Sequence, residues 1–241
     1  NKNPDSSSPQ LTSKDFKFVT KLPPVPQDCE DLGSWVEEKI QSSLMRLGTN
    51  SLYGLLINSS ENLLNDTGKK LINAINRVKV NGLVKKIGIS IYDPSECEQI
   101  MRQTRIDIVQ APLNIVDQRL ITTGWLSRLH SEEIEIHTRS VFLQGLLLMP
   151  RNSIPKIFNR WSKVWDQWTL ELERNKLSAV GLCLLYPLSF PEINRVIVGV
   201  DNAAQLNSII KSSKSHQSKI DWSFMSCNDE MLINPTNWYN S

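Results

Sequence analysis

The feature that most narrows the fold is an alternation of strand-length apolar runs with longer amphipathic stretches. The runs are FKFVTKL (16–22), LYGLLIN (52–58), VKKIGIS (84–90), IDIVQAP (106–112), IEIHTRSVF (134–142) and RVIVGV (195–200). Several are near-continuous rather than alternating, as expected of parallel strands buried on both faces. Between them apolar residues recur at helical spacing. Residues 31–47 place Leu32, Trp35, Val36, Ile40, Leu44 and Leu47 on one stripe with Gly48 behind it. Residues 66–81 repeat the device with Leu71, Ile72, Ile75 and Val78, followed by Gly82. Asp93-Pro94 predicts a helix start running to about Gln103, and further helices are expected near 154–174, 178–187 and 202–213. Crossovers of this length join parallel strands, so the chain reads as α/β, built from successive βα units.

A doubly wound sheet and a closed barrel both satisfy that pattern. The strand ends favour the barrel. Lys21, Asn58, Ser90, Gln110, Ser140 and Asp201-Asn202 are polar residues closing apolar runs, and a TIM-type (β/α)8 barrel gathers such groups on one face. The expectation is an incomplete TIM-type barrel, with six βα units readable and the first two missing. An array cut there leaves open edges through which a second copy can pair. Residues 1–15 read as a polar lead-in, 16–213 as the partial barrel, and 214–241 as a linker and tail folding back on it. A start at Asn1 rather than Met reads as part of a longer chain.

Composition removes several alternatives. With 241 residues, 40% of them hydrophobic and 22% charged, the chain is expected to bury a core rather than stay disordered. A net charge of +2 does not favour a nucleic-acid partner. The longest apolar run, 141–150, is broken by Gln144 and Gly145 and falls short of the ~20 residues a membrane span needs. Cys29, Cys97, Cys183 and Cys227 are scattered, which fits a reduced cytoplasmic setting better than a disulfide framework or zinc site. No secretory signal is readable. His130, His137 and His216 do not cluster with acids or cysteines, so no metal is expected. Trp161, Trp165 and Trp168 read as a packed helix face, and KSSKSHQSK (211–219) as a solvated linker.

Several segments carry a more specific message. GLVKKIGIS, followed by Ile91-Tyr92 and preceded by SLMRLGTNSLYGLLIN, resembles the aldo/keto reductases. So do IDIVQAPLNIVDQ, RSVFLQGLL, VIVGVDNAAQL and LINPTNW, in consistent order over roughly residues 16–238. The resemblance implies hydride transfer between NAD(P)H and an aldehyde or ketone. A tyrosine would supply the proton, a lysine would lower its pKa, an aspartate would pair with the lysine, and a histidine would polarise the carbonyl. A cation beside a phenol stabilises the phenolate, and donors aimed at a developing oxyanion stabilise the transition state.

The carry-over is taken residue by residue. Lys21 falls at the lysine position; taken alone it would be a solvated strand-end lysine. Asn58 falls at the histidine position, where its amide can donate but cannot titrate; a loop-capping Asn is the other reading. The aspartate and tyrosine should precede Lys21. Asp5 and Asp15 lack the context, and Tyr53, Tyr92, Tyr186 and Tyr239 lie downstream. On the cofactor side, Ser90 and Gln110 match residues that bond the nicotinamide carboxamide, although Ile91 stands where an Asn is frequent. Arg139 stands where a tyrosine often stacks on the nicotinamide; a guanidinium can stack too, and a salt-bridged surface arginine is the alternative. Ser140, Leu143, Gln144 and Gly145 match a loop that wraps the pyrophosphate with backbone N–H groups. Gly199, Val200, Asp201, Asn202 and Gln205 match the last phosphate loop, leading into a helix N-terminus.

The family points to NADP. The usual basic residues for its 2′-phosphate are not evident, with Val200 and Leu206 instead and Asp201 repulsive, so NAD stays open. Trp222, Phe224, Trp238 and Tyr239 are candidates to border the substrate pocket. The expected function is therefore an oxidoreductase acting on a small carbonyl compound, with no nucleic-acid or membrane partner. The chain as given would be inactive without the Asp and Tyr. The alternative is a non-catalytic binding or regulatory protein on the same barrel. An unrelated barrel hydrolase ranks last, because it needs paired carboxylates or metal ligands at the strand ends.

Overall fold

Each apolar run yields a strand, and each strand is followed by helix. The strands are β1 (Val19–Lys21), β2 (Leu52–Ile57), β3 (Val84–Ser90), β4 (Ile108–Pro112), β5 (Glu135–Arg139) and β6 (Arg195–Val196). The structure, a computed structural model, describes residues 16–58, 60–64, 67–214 and 220–238. The lead-in 1–15 with Asp5 and Asp15, His216 and Tyr239 lie outside the described residues. The chain divides into two units, the first holding residues up to Ser90 together with 102–108, the second 91–101 and the remainder from Val109.

In the first unit β1, β2 and β3 lie side by side and parallel, with Lys21 opposite Leu56 and Leu56 opposite Gly88. Helix α1 (Leu32–Leu47) opens on Asp31, whose carboxylate accepts the Ser34 N–H at 3.1 Å. Of the predicted stripe it buries Leu32, Val36, Ile40 and Leu44, while Trp35 is half-buried and Leu47, in the last turn, is exposed. After the short α2 (Glu61–Leu64), α3 (Gly68–Val80) packs against α1 and buries Leu71, Ile75 and Val78. Gly88 permits a close approach: a Cβ there would lie 2.4 Å from the Ile108 carbonyl oxygen. Asp107 adds a polar tie, accepting the Ile87 N–H at 2.7 Å and the Lys79 ammonium.

In the second unit the strand order is β4, β5, β6, with β5 and β6 parallel and His137 opposite Arg195. Helix α4 (Glu96–Gln103) starts later than Asp93-Pro94 predicts. The Asp93 carboxylate accepts from the Ser95 N–H at 2.8 Å. The Glu96 carboxylate accepts from the Tyr92 and Asp93 N–H groups at 2.8 and 2.7 Å. These side chains hold a turn in front of the helix. Two short helices, α5 (Arg119–Thr122) and α6 (Trp125–Ser131), were not expected from the sequence.

The long helix expected at 154–174 is divided. Pro155 leads into a 3-10 helix (Lys156–Trp161), and α7 occupies Ser162–Asn175. Trp165 and Trp168 are buried, whereas Trp161 is half-buried and donates its indole N–H to Asp229 at 3.1 Å. Then come α8 (Ala179–Leu188), α9 (Ala203–Ser213) and α10 (Glu230–Ile233). β6 is shorter than its apolar run and pairs with β5 alone among the described residues. One more bond, Ile197 N–H to Thr138 O at 2.7 Å, extends the ladder before pairing stops.

Candidate active site

The first unit brings together three of the residues nominated at strand ends. Lys21 closes β1 and Ser90 closes β3, and the Lys21 ammonium donates to the Ser90 hydroxyl at 3.0 Å. Through β2, Lys21 is level with Gly88, and Ser90 lies two residues further along β3 on the same face, within reach of the long lysine side chain. Asn58, just past β2, lines one cleft of about 380 Å³ with Lys21, Leu22, Lys39, Ser42 and Arg46. The Ser90 hydroxyl takes up one of the three N–H donors that a lysine ammonium carries.

The second unit carries a larger cleft, of about 720 Å³, between the loop after β5 and the start of α9. Its lining includes Arg139, Ser140, Gln144, Gly145, Gly199, Val200, Asp201 and Gln205. Those are eight of the residues nominated for the dinucleotide. The others fall elsewhere. Leu143 is fully buried beneath the loop. Asn202 caps α9, accepting the Gln205 N–H at 2.9 Å. Gln110 is buried in β4, where its carbonyl accepts the Ile91 N–H at 2.9 Å.

The loop after β5 is strained. Ser140, Leu143 and Gln144 have φ of 62, 45 and 52°, a region in which side chains cost free energy, and Gly145 follows at 85°. Two of its N–H groups are already used, Leu143 donating to Ser140 O and Gly145 to Phe142 O, each at 2.9 Å. That leaves fewer backbone donors for a pyrophosphate than the resemblance implies. The Gly145 and Gly199 positions face open space, so nothing of the protein fills the volume a ligand would take there.

Arg139 supplies a stronger donor. Its guanidinium donates to Ile91 O at 2.9 Å and to the Ser140 hydroxyl at 3.1 Å, and packs over the Tyr92 ring at 4.8 Å. It is not the salt-bridged surface arginine of the alternative reading. Its Nε is buried without a hydrogen-bond partner, and burial pulls its pKa below the ordinary arginine value. A cation held this way, with its Nε–H unspent, suits an anionic ligand, so the residues present fit a dinucleotide phosphate.

Sequence reasoning did not nominate Tyr92 for this platform, because nothing in the local spacing links it to Arg139. Ser208 and Ile209 also line the cleft; they sit three and four residues after Gln205, and helical periodicity could have found them. Of the aromatic tail candidates, Trp222 packs on Trp168 at 6.5 Å and Trp238 on Phe158 at 4.8 Å, while Phe224 is half exposed. His137 bonds Glu135 at 2.9 Å within β5.

Comparison with known proteins bears on the whole arrangement. A 24% identical stretch of 195 residues aligns the chain with a protein described as uncharacterized oxidoreductase YqkF of Bacillus subtilis, covering 76% of this chain. The chain spans 62% of that relative's length. Among solved structures, aldo-keto reductase AKR11C1 of Bacillus halodurans in its apo form superposes with a TM-score of 0.68 at 17% identity. The match covers 90% of this chain and 72% of that one. Its holo form gives the same TM-score over 87% and 70%. The six βα units are thus an incomplete TIM-type barrel of the kind these proteins carry. A sequence profile of the aldo/keto reductase family matches residues 11–225. With the motifs in order, the fold shared and the profile matched over most of its length, the chain belongs to the aldo/keto reductase family.

Proposed function

We propose that the protein is an oxidoreductase that binds a nicotinamide dinucleotide and reduces an aldehyde or ketone. The observation that supports this reading is a cleft of the second unit whose lining includes eight residues that the family resemblance nominates, from the loop after β5 and the loop before α9. Arg139, carried over at the nicotinamide position, has its guanidinium over the Tyr92 ring instead and would hold the phosphates with Ser140 and Gln144, while Asp201 and Gln205 would hold the remainder of the nucleotide. The bound dinucleotide would supply a hydride to the carbonyl carbon.

The chain's own residues have narrower tasks. Lys21, held by the Ser90 hydroxyl, keeps a positive charge beside the reacting oxygen and favours transfer of a proton to it. The Asn58 amide donates a hydrogen bond to the same oxygen without titrating. The Asp and Tyr that the family resemblance implies have no counterpart among the residues carried over, so the role proposed for Lys21 and Asn58 is polarisation of the carbonyl oxygen. Asn58 in place of a histidine favours a second reading, a cofactor-binding protein that does not turn over.

One experiment separates them. Loss of reduced-nicotinamide absorbance is followed with full-length protein and a panel of aldehydes and ketones. Turnover that falls by about 10² or more in Lys21→Met supports the enzyme. Nucleotide binding with no turnover on any carbonyl supports the binding protein and overturns the first reading.

A further inference from the structure

Arg139 lines the large cleft and has three tethers among the described residues: Ile91 O at 2.9 Å, the Ser140 hydroxyl at 3.1 Å and the face of the Tyr92 ring at 4.8 Å. Its seat is therefore only as fixed as the dipeptide Ile91-Tyr92. Ile91 is tied to β4, its N–H donating to Gln110 O at 2.9 Å. Tyr92 lies outside any strand and is 43% exposed. Its N–H is held by the Glu96 carboxylate at 2.8 Å, and its carbonyl by Arg119 at 3.1 Å.

Arg119 stands in α5 and is absent from the lining of the cleft. Its guanidinium spends all five of its N–H donors. Nε and Nη2 grip the two oxygens of Asp117, each at 2.9 Å, and Nη2 also takes the Tyr92 carbonyl. Nη1 is shared by Asp93 at 2.8 Å and by Glu230 of α10. Burial pulls the Arg119 pKa down, but Asp117, Glu230 and Asp93 outweigh it and hold the value above that of an ordinary arginine, so the charge persists. A planar fork pinned on one side by Asp117 fixes the direction in which the Tyr92 carbonyl points.

A guanidinium that is to meet an anion must be held by its own supports to within about 0.5 Å. Two of the supports of Arg139 lie in Ile91-Tyr92, and Arg119 clamps the Tyr92 carbonyl and the Asp93 carboxylate at once. Resting on the dinucleotide reading above, we propose that Arg119 is a positioning residue for the cleft: it holds Tyr92, and the Tyr92 ring holds Arg139 against the anionic ligand. Arg119 acts only through Arg139. Glu230 carries the same tie into the C-terminal tail, through the nitrogen that it shares with Asp93.

The test is a double-mutant cycle on NADH binding, followed in the full-length protein by quenching of intrinsic tryptophan fluorescence. Arg119→Lys keeps a positive charge beside Asp117 but lacks the fork that reaches Tyr92 as well. It is expected to weaken NADH by about fivefold and Arg139→Gln by about tenfold. The double variant then binds no more weakly than Arg139→Gln alone, within about twofold. Where circular dichroism shows that Arg119→Lys does not fold, Arg119→Met combined with Asp117→Asn takes its place with the same expectation, since that pair strands no buried charge. A merely structural role gives a loss that multiplies with that of Arg139→Gln. That result, or an affinity unchanged by the Arg119 variant, overturns the proposal and leaves the dinucleotide reading standing. Failure of the native protein to bind NADH at millimolar concentration overturns both.

Discussion

Arg119 shows how much one side chain can organise. It is nearly buried, and its guanidinium donates to both oxygens of Asp117 at 2.9 Å, to Asp93 at 2.8 Å, to the Tyr92 carbonyl at 3.1 Å and to Glu230. Asp117 is 1% exposed, so its charge depends on that partner. Arg119→Ala strands a buried carboxylate and is expected to cost about 3–5 kcal/mol, read as a lower urea midpoint. Asp93 belongs to the same cluster. Burial pushes its carboxyl up, but hydrogen bonds from Ser95 and the Arg119 charge outweigh it and hold the pKa below 3.8. A folded pKa under the unfolded one means that the stabilisation is complete above about pH 4 and disappears as pH falls through the lower folded value. Asp93→Asn should therefore narrow the stability difference between about pH 6 and about pH 3, when denaturation midpoints are compared with those of the native chain.

At the scale of elements, close approach and exposure have opposite effects. β3 passes so near Ile108 that the Gly88 Cβ of an alanine variant would also meet Ile108 Cβ and Leu56 Cδ2, each at 2.7 Å. Gly88→Ala is expected to destabilise by about 1–3 kcal/mol through overpacking, measured by urea unfolding. β6 and α9 have the reverse problem. α9 buries none of its residues, and Ile197, Val200, Leu206 and Ile210 are all more than 40% exposed. Amide hydrogen exchange should accordingly be fastest in β6 and α9 and slowest in β2 and β3, where the strand has neighbours on both sides. Equal protection in the two sets would contradict this.

Across the whole molecule, burial sorts three of the four cysteines, Cys29, Cys97 and Cys183. Burial, reinforced by the Glu96 charge, pushes the Cys97 thiol up to about 12, and burial alone pushes Cys183 up. A thiol reagent at mildly alkaline pH should modify Cys29, which is only partly buried, and reach Cys97 and Cys183 only after denaturation. Mass spectrometry of the labelled native protein checks this. No helix among the described residues is long and apolar enough to cross a membrane.

Much of the architecture was legible in the chain because periodicity is a local property. Continuous apolar runs bounded by polar residues specified parallel strands, and the stripe from Leu32 to Leu44 specified α1, without reference to anything distant. The residues nominated for the two clefts came from the family resemblance rather than from periodicity, although the meeting of Lys21 and Ser90 follows from their places at the ends of parallel strands of one unit. Other features were settled only by three-dimensional packing. The delayed start of α4, the early end of β6 and the seating of Arg139 on Tyr92 depend on which groups a segment meets across space. Hydrogen-bond partners and burial come from residues far apart in sequence, and no periodicity encodes them.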